Sequence, residues 1–337
     1  MMNSCRQKQF QRNERLERLL LEINSLLDPL QKNINKNYSM PEFPVLLVIG
    51  GPRSGSTLMM QWLADTGNFA YPTNLLSRFY GAPYFGAKIQ QLLTGPDFNF
   101  KNELSDFNDY ISFASDLGKT QGALEPNDFW YFWRRFLPNT EPVYLNDQLL
   151  KKVKGKEFVA EIATIESVFA KPFAMKGMIL EQNIPFLSSL FEKVLFLYIK
   201  RHPFFNIQSL LEARVKFHGD RRKWYSIKPK EYDELRKLDP VEQVTGQVYF
   251  KNCAVDKGLS QIGSSRCLQV NYEDFCMDPE SLFRRLKDKL ALQCDTDDWQ
   301  YQGPERFQSA NTIRLPDKDC KRIIDFFKKL SGRDITP

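Results

Sequence analysis

At 337 residues, with 42% hydrophobic and 26% charged residues, the chain has the composition of a soluble globular protein and enough length to bury a sizeable core. Its formal net charge of +6 suits anionic ligands, but the basic residues are dispersed, which argues against a nucleic-acid partner. Six cysteines without a C-x-x-C pair form neither a zinc pattern nor a disulfide framework, and no stretch approaches the roughly 20 apolar residues that span a bilayer.

Charged residues Glu14, Arg15, Glu17 and Arg18 precede the first apolar run, so no signal peptide is expected and the chain reads as cytoplasmic. Residues 10 to 33 carry Leu16, Leu19, Leu20, Ile23, Leu26 and Leu27 at helical spacing. This predicts an amphipathic helix docked on the domain or on a second subunit, and it suits a homodimer contact. A polar linker follows, which divides the chain into an N-terminal helix with linker (1–40) and one α/β domain (41–337). A strand over 45–49 leads through a glycine turn into a helix reaching residue 66. Residues 67 to 150 are rich in Gly, Pro, Asn and aromatics, with short helical pieces at 87–93 and 128–136, and read as a substrate-facing insertion. Within it, Phe129-Trp-Tyr-Phe-Trp133 supplies material for a core or an apolar pocket, while the basic run Lys151–Lys156 reads as a solvated surface. Helices are expected over 157–170, 185–191, 206–217, 240–257 and 278–290, and strands over 173–175, 194–199 and 267–272. The alternation predicts a parallel sheet covered on both faces.

The chemistry concentrates in two places. Gly50-Gly-Pro-Arg-Ser-Gly-Ser-Thr57 almost spells the nucleotide P-loop, with Ser56 where that motif has its lysine. A glycine turn before a helix aims backbone N–H groups and the positive end of the helix dipole at one spot, which makes it a phosphate site. The cation available there is Arg53. The second place is Tyr198-Ile-Lys-Arg-His-Pro203, where an apolar strand ends in Arg201 and Ser209 follows eight residues later on a helix. Open α/β sheets bind ligands at the carboxyl ends of their strands, so Arg201 and Ser209 can hold a second phosphate in the same crevice; a surface arginine and an ordinary helix serine is the alternative.

Together, Pro52-Arg-Ser-Gly-Ser-Thr57 and the Arg201–Ser209 pair resemble the nucleotide-dependent sulfotransferases, and Leu268–Glu280, with its Tyr272-Glu-Asp and Asp278-Pro, is similar to a further segment of that family. The resemblance covers about 43–66 and 173–290. It implies a three-layer α/β/α fold with a central parallel sheet. It also implies 3′-phosphoadenosine-5′-phosphosulfate (PAPS) as donor, PAP as product, a hydroxyl acceptor and no metal. Arg53 would stabilise the departing oxygen; Ser54, Gly55, Ser56 and Thr57 would hold the 5′-phosphate; Arg201 and Ser209 would hold the 3′-phosphate, with Tyr272 in the donor site. Lys176 matches a strand-end lysine of the family and would assist Arg53, although a surface lysine reads equally well.

The acceptor's proton needs a base, and here the chain departs from the family. Met178 stands where cytosolic members have histidine, and Ala70–Leu75 has no acid. Glu125, in the aromatic insertion, is the preferred candidate, with Asp128, Glu181 and His218 as others; Glu125 or Asp128 could instead cap the following helix. His202 reads as shaping the turn beside Arg201. The acceptor could be a ring-bearing alcohol, or an anionic sugar or lipid headgroup held by Arg78, Arg134 or Arg135. Two rivals stand beside the transferase: a degenerate P-loop nucleotide kinase or NTPase, and a non-catalytic nucleotide-binding module. The strand over 194–199 ends in Lys-Arg-His and offers no acid for Mg²⁺, which counts against the first.

Overall fold

The computed structural model describes residues 6–99, 101, 103–104, 110–138, 141 and 143–337. Four apolar runs form one parallel sheet: β1 (Val45–Ile49), β2 (Ala174–Lys176), β3 (Val194–Lys200) and β4 (Cys267–Asn271), in the order β2-β1-β3-β4. All of β1 and the first six residues of β3 are buried, because helices cover both faces and neither meets water. The helices are α1 (Glu14–Asn35), α2 (Ser56–Asp65), α3 (Pro83–Thr94), α4 (Trp130–Arg134), α5 (Asp147–Leu150), α6 (Gly155–Phe169) and α7 (Ile184–Ser189). They continue with α8 (Pro203–His218), α9 (Tyr232–Leu235), α10 (Pro240–Ile262), α11 (Tyr272–Met277), α12 (Pro279–Leu290) and α13 (Asp317–Ser331).

The pleat sorts the strand residues into two cores. Leu47, paired with Met175 and Phe196, faces a layer that includes Phe132, Phe158, Ile162 and Leu187. The alternate residues Leu46, Val48, Leu195, Leu197 and Leu268 face Met59, Leu63, Phe275 and Leu286. A third cluster joins α8, α10 and α13 through Phe204, Val244 and Ile323. The three-layer expectation therefore holds. Four α-helices, α5, α9, α11 and α13, lie where the sequence reading has none; α5 and α9 are single turns of four residues. The six residues of α11 are too few to show a period; α13 buries only Ile323 and Phe327, four apart in a strongly charged segment, a signal that could have been seen.

The strand order positions the site. From β1 the chain moves to the β2 edge, and from β3 to the β4 edge, so the loops leaving β1 and β3 diverge and open a crevice between them. Those loops carry Arg53 and Arg201.

The N-terminal helix packs on this frame through its buried Leu20 and through polar contacts. Asn24 Nδ2 donates to Arg78 O at 2.8 Å, Asn24 Oδ1 accepts from Gly81 N at 2.5 Å, and Gln31 Oε1 accepts from Tyr84 N at 2.9 Å. Of the apolar stripe read from the sequence, Leu20 is buried and Leu16, Ile23 and Leu27 are half-buried, while Leu19 and Leu26 are more than half exposed. The aromatic run splits by helical phase: Phe129, Phe132 and Trp133 are buried against Phe158 and belong to the core, not to a pocket. Arg135 pairs bidentately with Glu161 at 2.5 and 2.9 Å and is thereby removed from any acceptor site. The charged residues of Lys151–Lys156 are exposed. Among the described residues, no helix is long and apolar enough to cross a membrane.

Candidate active site

The turn after β1 forces unusual backbone. Arg53 has φ +66° and Gly55 φ +99°, both in the left-handed region. That conformation is costly for arginine, and such strain persists where surrounding structure holds it. Gly55 has a second reason: a Cβ there would lie 2.5 Å from the Tyr272 ring. Asn206 Nδ2 donates to Pro52 O at 2.9 Å and Gly50 N donates to Glu181 Oε2 at 3.4 Å, which pins the turn from below. Met59 N is the first amide to bond back into the helix, to Gly55 O at 3.0 Å, so the amides of Ser56, Thr57 and Leu58 open α2 with its positive dipole end in the crevice. The Ser54 hydroxyl is buried without a partner.

The second turn converges on the first. Arg53 Nε donates to Ser209 Oγ at 3.1 Å, and Arg201 Nη1 donates to Arg53 O at 3.0 Å. Arg201 is clamped further by Asn311 Oδ1 at 2.8 Å and Ala310 O at 3.0 Å, and it lies 4.8 Å above the Tyr272 ring. Tyr272 Oη accepts from Ala310 N at 3.1 Å. Glu273 Oε1 accepts from Asn311 Nδ2 at 2.6 Å and from His202 N at 3.1 Å, closing the ring of contacts around the second turn. Among the described residues, the hydrogen-bond partners of Arg53 and Arg201 are neutral oxygens. Burial holds the Arg201 guanidinium below its ordinary pKa, with Tyr272 and Glu273 acting the other way and Arg53 and Arg314 adding to it. Two guanidinia side by side in a half-buried crevice make a seat for an anion. Sequence reasoning missed Asn206, Ala310 and Asn311; the last two lie in an irregular segment with no periodic signal.

The third group stands across α2. Lys176, at the end of β2, donates to Thr57 Oγ1 at 2.8 Å and to Asp128 Oδ1 at 2.6 Å. A two-residue hairpin over Asp116–Lys119, with Leu117 at φ +49° and Gly118 at φ +83°, lies on the same spot. A Cβ on Gly118 would sit 3.1 Å from Thr57 Oγ1. The hairpin is tied to α8 by Lys216 and Asp116 at 2.6 Å.

The profile of the sulfotransferase family matches residues 44–297. The chain belongs to the sulfotransferase family. Its fold is similar to that of the sulfotransferase STF9 from Mycobacterium avium, with a TM-score of 0.56 at 16% identity, covering 99% of this chain and 88% of that one. The sulfotransferase STF1 from Mycobacterium tuberculosis H37Rv aligns with a TM-score of 0.50 at 11% identity, covering 94% and 82% respectively. No curated protein sequence matches the chain.

In this sulfotransferase the four acid–base candidates occupy different settings. Glu125 is 2% exposed, and both its oxygens are engaged: Oε1 accepts from Ser112 N and Ser112 Oγ, each at 2.6 Å, and Oε2 from Gln61 Nε2 at 2.9 Å. It ties the insertion to α2. Glu181 is buried beneath the first turn, ion-paired with Lys251, and burial raises its pKa against the pull of that lysine. His218, in the last turn of α8, contacts Trp224 O at 3.2 Å. Asp128 alone of the four pairs with Lys176, and its side chain is 42% exposed.

Proposed function

We propose that this sulfotransferase transfers the sulfuryl group of PAPS to the hydroxyl of an acceptor alcohol. The observation that carries the reading is the convergence of Arg53 and Arg201, from turns 148 residues apart, into one crevice with Ser209. The donor has two anionic ends, and the crevice has two seats. The fit is supported by the buried unpartnered Ser54 hydroxyl, the free amides at the start of α2 and two guanidinia bonded to neutral oxygens. The donor supplies a sulfuryl group on a phosphate that departs. The amides and hydroxyls of Ser56 and Thr57 would hold its 5′-phosphate, Arg201 and Ser209 its 3′-phosphate, and Tyr272 the adjoining nucleoside.

Arg53 lies between the two seats, where a fixed cation opposes the negative charge that builds on the departing oxygen. By comparison with single preorganised donors, it contributes roughly 3 to 4 kcal/mol. Lys176 bridges Thr57 in the donor turn and Asp128 in the acceptor wall. By engaging Oδ1 of Asp128 it orients the carboxylate and leaves Oδ2 to take the acceptor's proton. Asp128 therefore takes the base role in place of Glu125.

Isothermal titration with PAP and with ATP tests the donor reading. Tight PAP binding with weak ATP binding is expected, together with transfer of ³⁵S from labelled PAPS to an acceptor. Equal affinity for the two nucleotides would overturn the reading of PAPS as donor.

A further inference from the structure

A buried ion pair lies beneath the first turn of the crevice. Lys251, in the middle of α10, pairs with Glu181, and the two side chains are only 3% and 8% exposed. Glu181 stands on the 3₁₀ turn Met178–Gln182, which follows β2 and its Lys176. Its Oε2 accepts from Gly50 N at 3.4 Å, the first amide beyond β1. The same layer supports the rest of the turn. A Cβ on Gly51 would lie 2.7 Å from Oδ1 of Asn252, the neighbour of Lys251, and Asn206 Nδ2 donates to Pro52 O at 2.9 Å. Gly177 N donates to Val48 O at 2.9 Å, and a Cβ there would lie 2.7 Å from Ile49 Cγ2, so the segment between Lys176 and Glu181 is seated against the end of β1. Glu181 thereby ties β1, β2 and α10 together at the root of the turn.

Stability is a poor reason for such a pair. Desolvating both charges offsets much of their attraction, and apolar residues of similar volume commonly hold a core as well. The charges do matter to an anion above them. An unneutralised carboxylate bonded to an amide of a phosphate-binding turn repels a phosphate held there, whereas the paired groups add no net charge. Burial raises the Glu181 pKa, while Lys251, the Gly50 amide and Lys176 act the other way. From β3, Tyr198 also feels this carboxylate: burial and Asp256, ahead of Glu181, raise its phenol and keep it neutral.

We propose that Lys251 and Glu181 are a positioning pair for the donor: Glu181 fixes the Gly50 amide at the root of the turn, and Lys251 cancels the charge that would otherwise repel the 5′-phosphate of PAPS. This rests on the reading of PAPS as donor and adds to it two residues buried beneath the crevice. Glu181, a base candidate in the sequence, serves the donor side from below.

The test is calorimetric titration of the full-length chain with PAP from about pH 6 to about pH 9, with melting curves on the same preparations. In Lys251→Met the carboxylate loses its partner. At the acid end it is protonated, and PAP affinity should stay near that of the wild type. As the pH rises and Glu181 ionises, affinity should fall about tenfold relative to the wild type at the same pH. In Glu181→Gln the amide oxygen still accepts from Gly50 N, and the uncancelled ammonium of Lys251 should tighten PAP binding severalfold at the acid end, an advantage lost as it deprotonates. The double variant Lys251→Met/Glu181→Gln carries neither charge and should return to the pH profile of the wild type. If Lys251→Met does not fold, Glu181→Gln and the double variant carry the test. Single variants that melt lower but keep the wild-type pH profile for PAP would reduce the pair to a structural role and overturn the proposal, as would a double variant as pH-sensitive as the single ones. A wild type that binds PAP beside such variants refutes only the positioning pair; a wild type that fails to bind PAP refutes the donor reading itself.

Discussion

Glu125→Gln and Asp128→Asn, three residues apart, should fail in opposite ways. In Glu125→Gln the new carbonyl can still accept from Ser112, but its NH₂ meets the NH₂ of Gln61, which cannot turn over without losing its bond to Ala114 O at 3.0 Å. One buried donor is left unsatisfied, a cost of about 1 to 3 kcal/mol, seen as a melting temperature lower by a few degrees. The reacting atoms are untouched, so kcat should stay near that of the wild type. Asp128→Asn breaks an ion pair whose carboxylate is 42% exposed, worth at most about 1 kcal/mol of stability. It removes the proton acceptor, which lowers kcat by about 10²- to 10⁴-fold, or about 3 to 5 kcal/mol in the barrier. The assay is ³⁵S transfer at saturating donor and acceptor, with melting curves on the same preparations. A hundredfold loss of kcat in Glu125→Gln at unchanged melting temperature, with Asp128→Asn fully active, would reverse the assignment.

Three further outcomes follow from the same geometry. Arg53→Ala should lower kcat by about 10²- to 10³-fold, whereas Arg201→Ala should chiefly weaken PAP binding; steady-state kinetics beside calorimetry separates them, and unimpaired turnover in Arg53→Ala would discard the role given to that guanidinium. Glu166 accepts from Glu42 N at 2.6 Å and Phe43 N at 3.2 Å just before β1, and burial pushes its pKa up to about 7 from 4.5 against the pull of those amides. Its contribution to stability is therefore complete below about pH 4.5 and is lost as the pH rises through about 7, so melting curves of the wild type should fall relative to Glu166→Gln over that interval; parallel curves would contradict the assignment. Asn24→Ala should cost about 2 kcal/mol in urea unfolding, because it leaves Gly81 N and Arg78 O without their partner; no change would show that α1 is held by other contacts.

The local chemistry was readable because it is local. A short continuous apolar run makes a buried strand, as in Val45–Ile49, whose observed limits match the expected ones. A glycine-bounded turn before a helix makes an anion seat wherever the strand lies. The short irregular parts were not readable: the 110–128 stretch has no period, and its Asp116–Lys119 hairpin takes its meaning from lying on Thr57.

From the order of its residues alone, this chain showed two candidate anion-binding turns and a parallel α/β frame, which follow from backbone preferences and side-chain types within a dozen residues, and a motif likeness to the family it belongs to. Tertiary structure decided that β1 and β3 are neighbours, and so that Arg53 and Arg201 share a crevice. It also decided which acid meets Lys176 and which is occupied in holding the insertion to α2. It carried Arg6 onto the Phe217 ring at the end of α8. Those outcomes depend on strand order and on packing between segments more than a hundred residues apart, where the free energy belongs to the whole core and no single stretch encodes it.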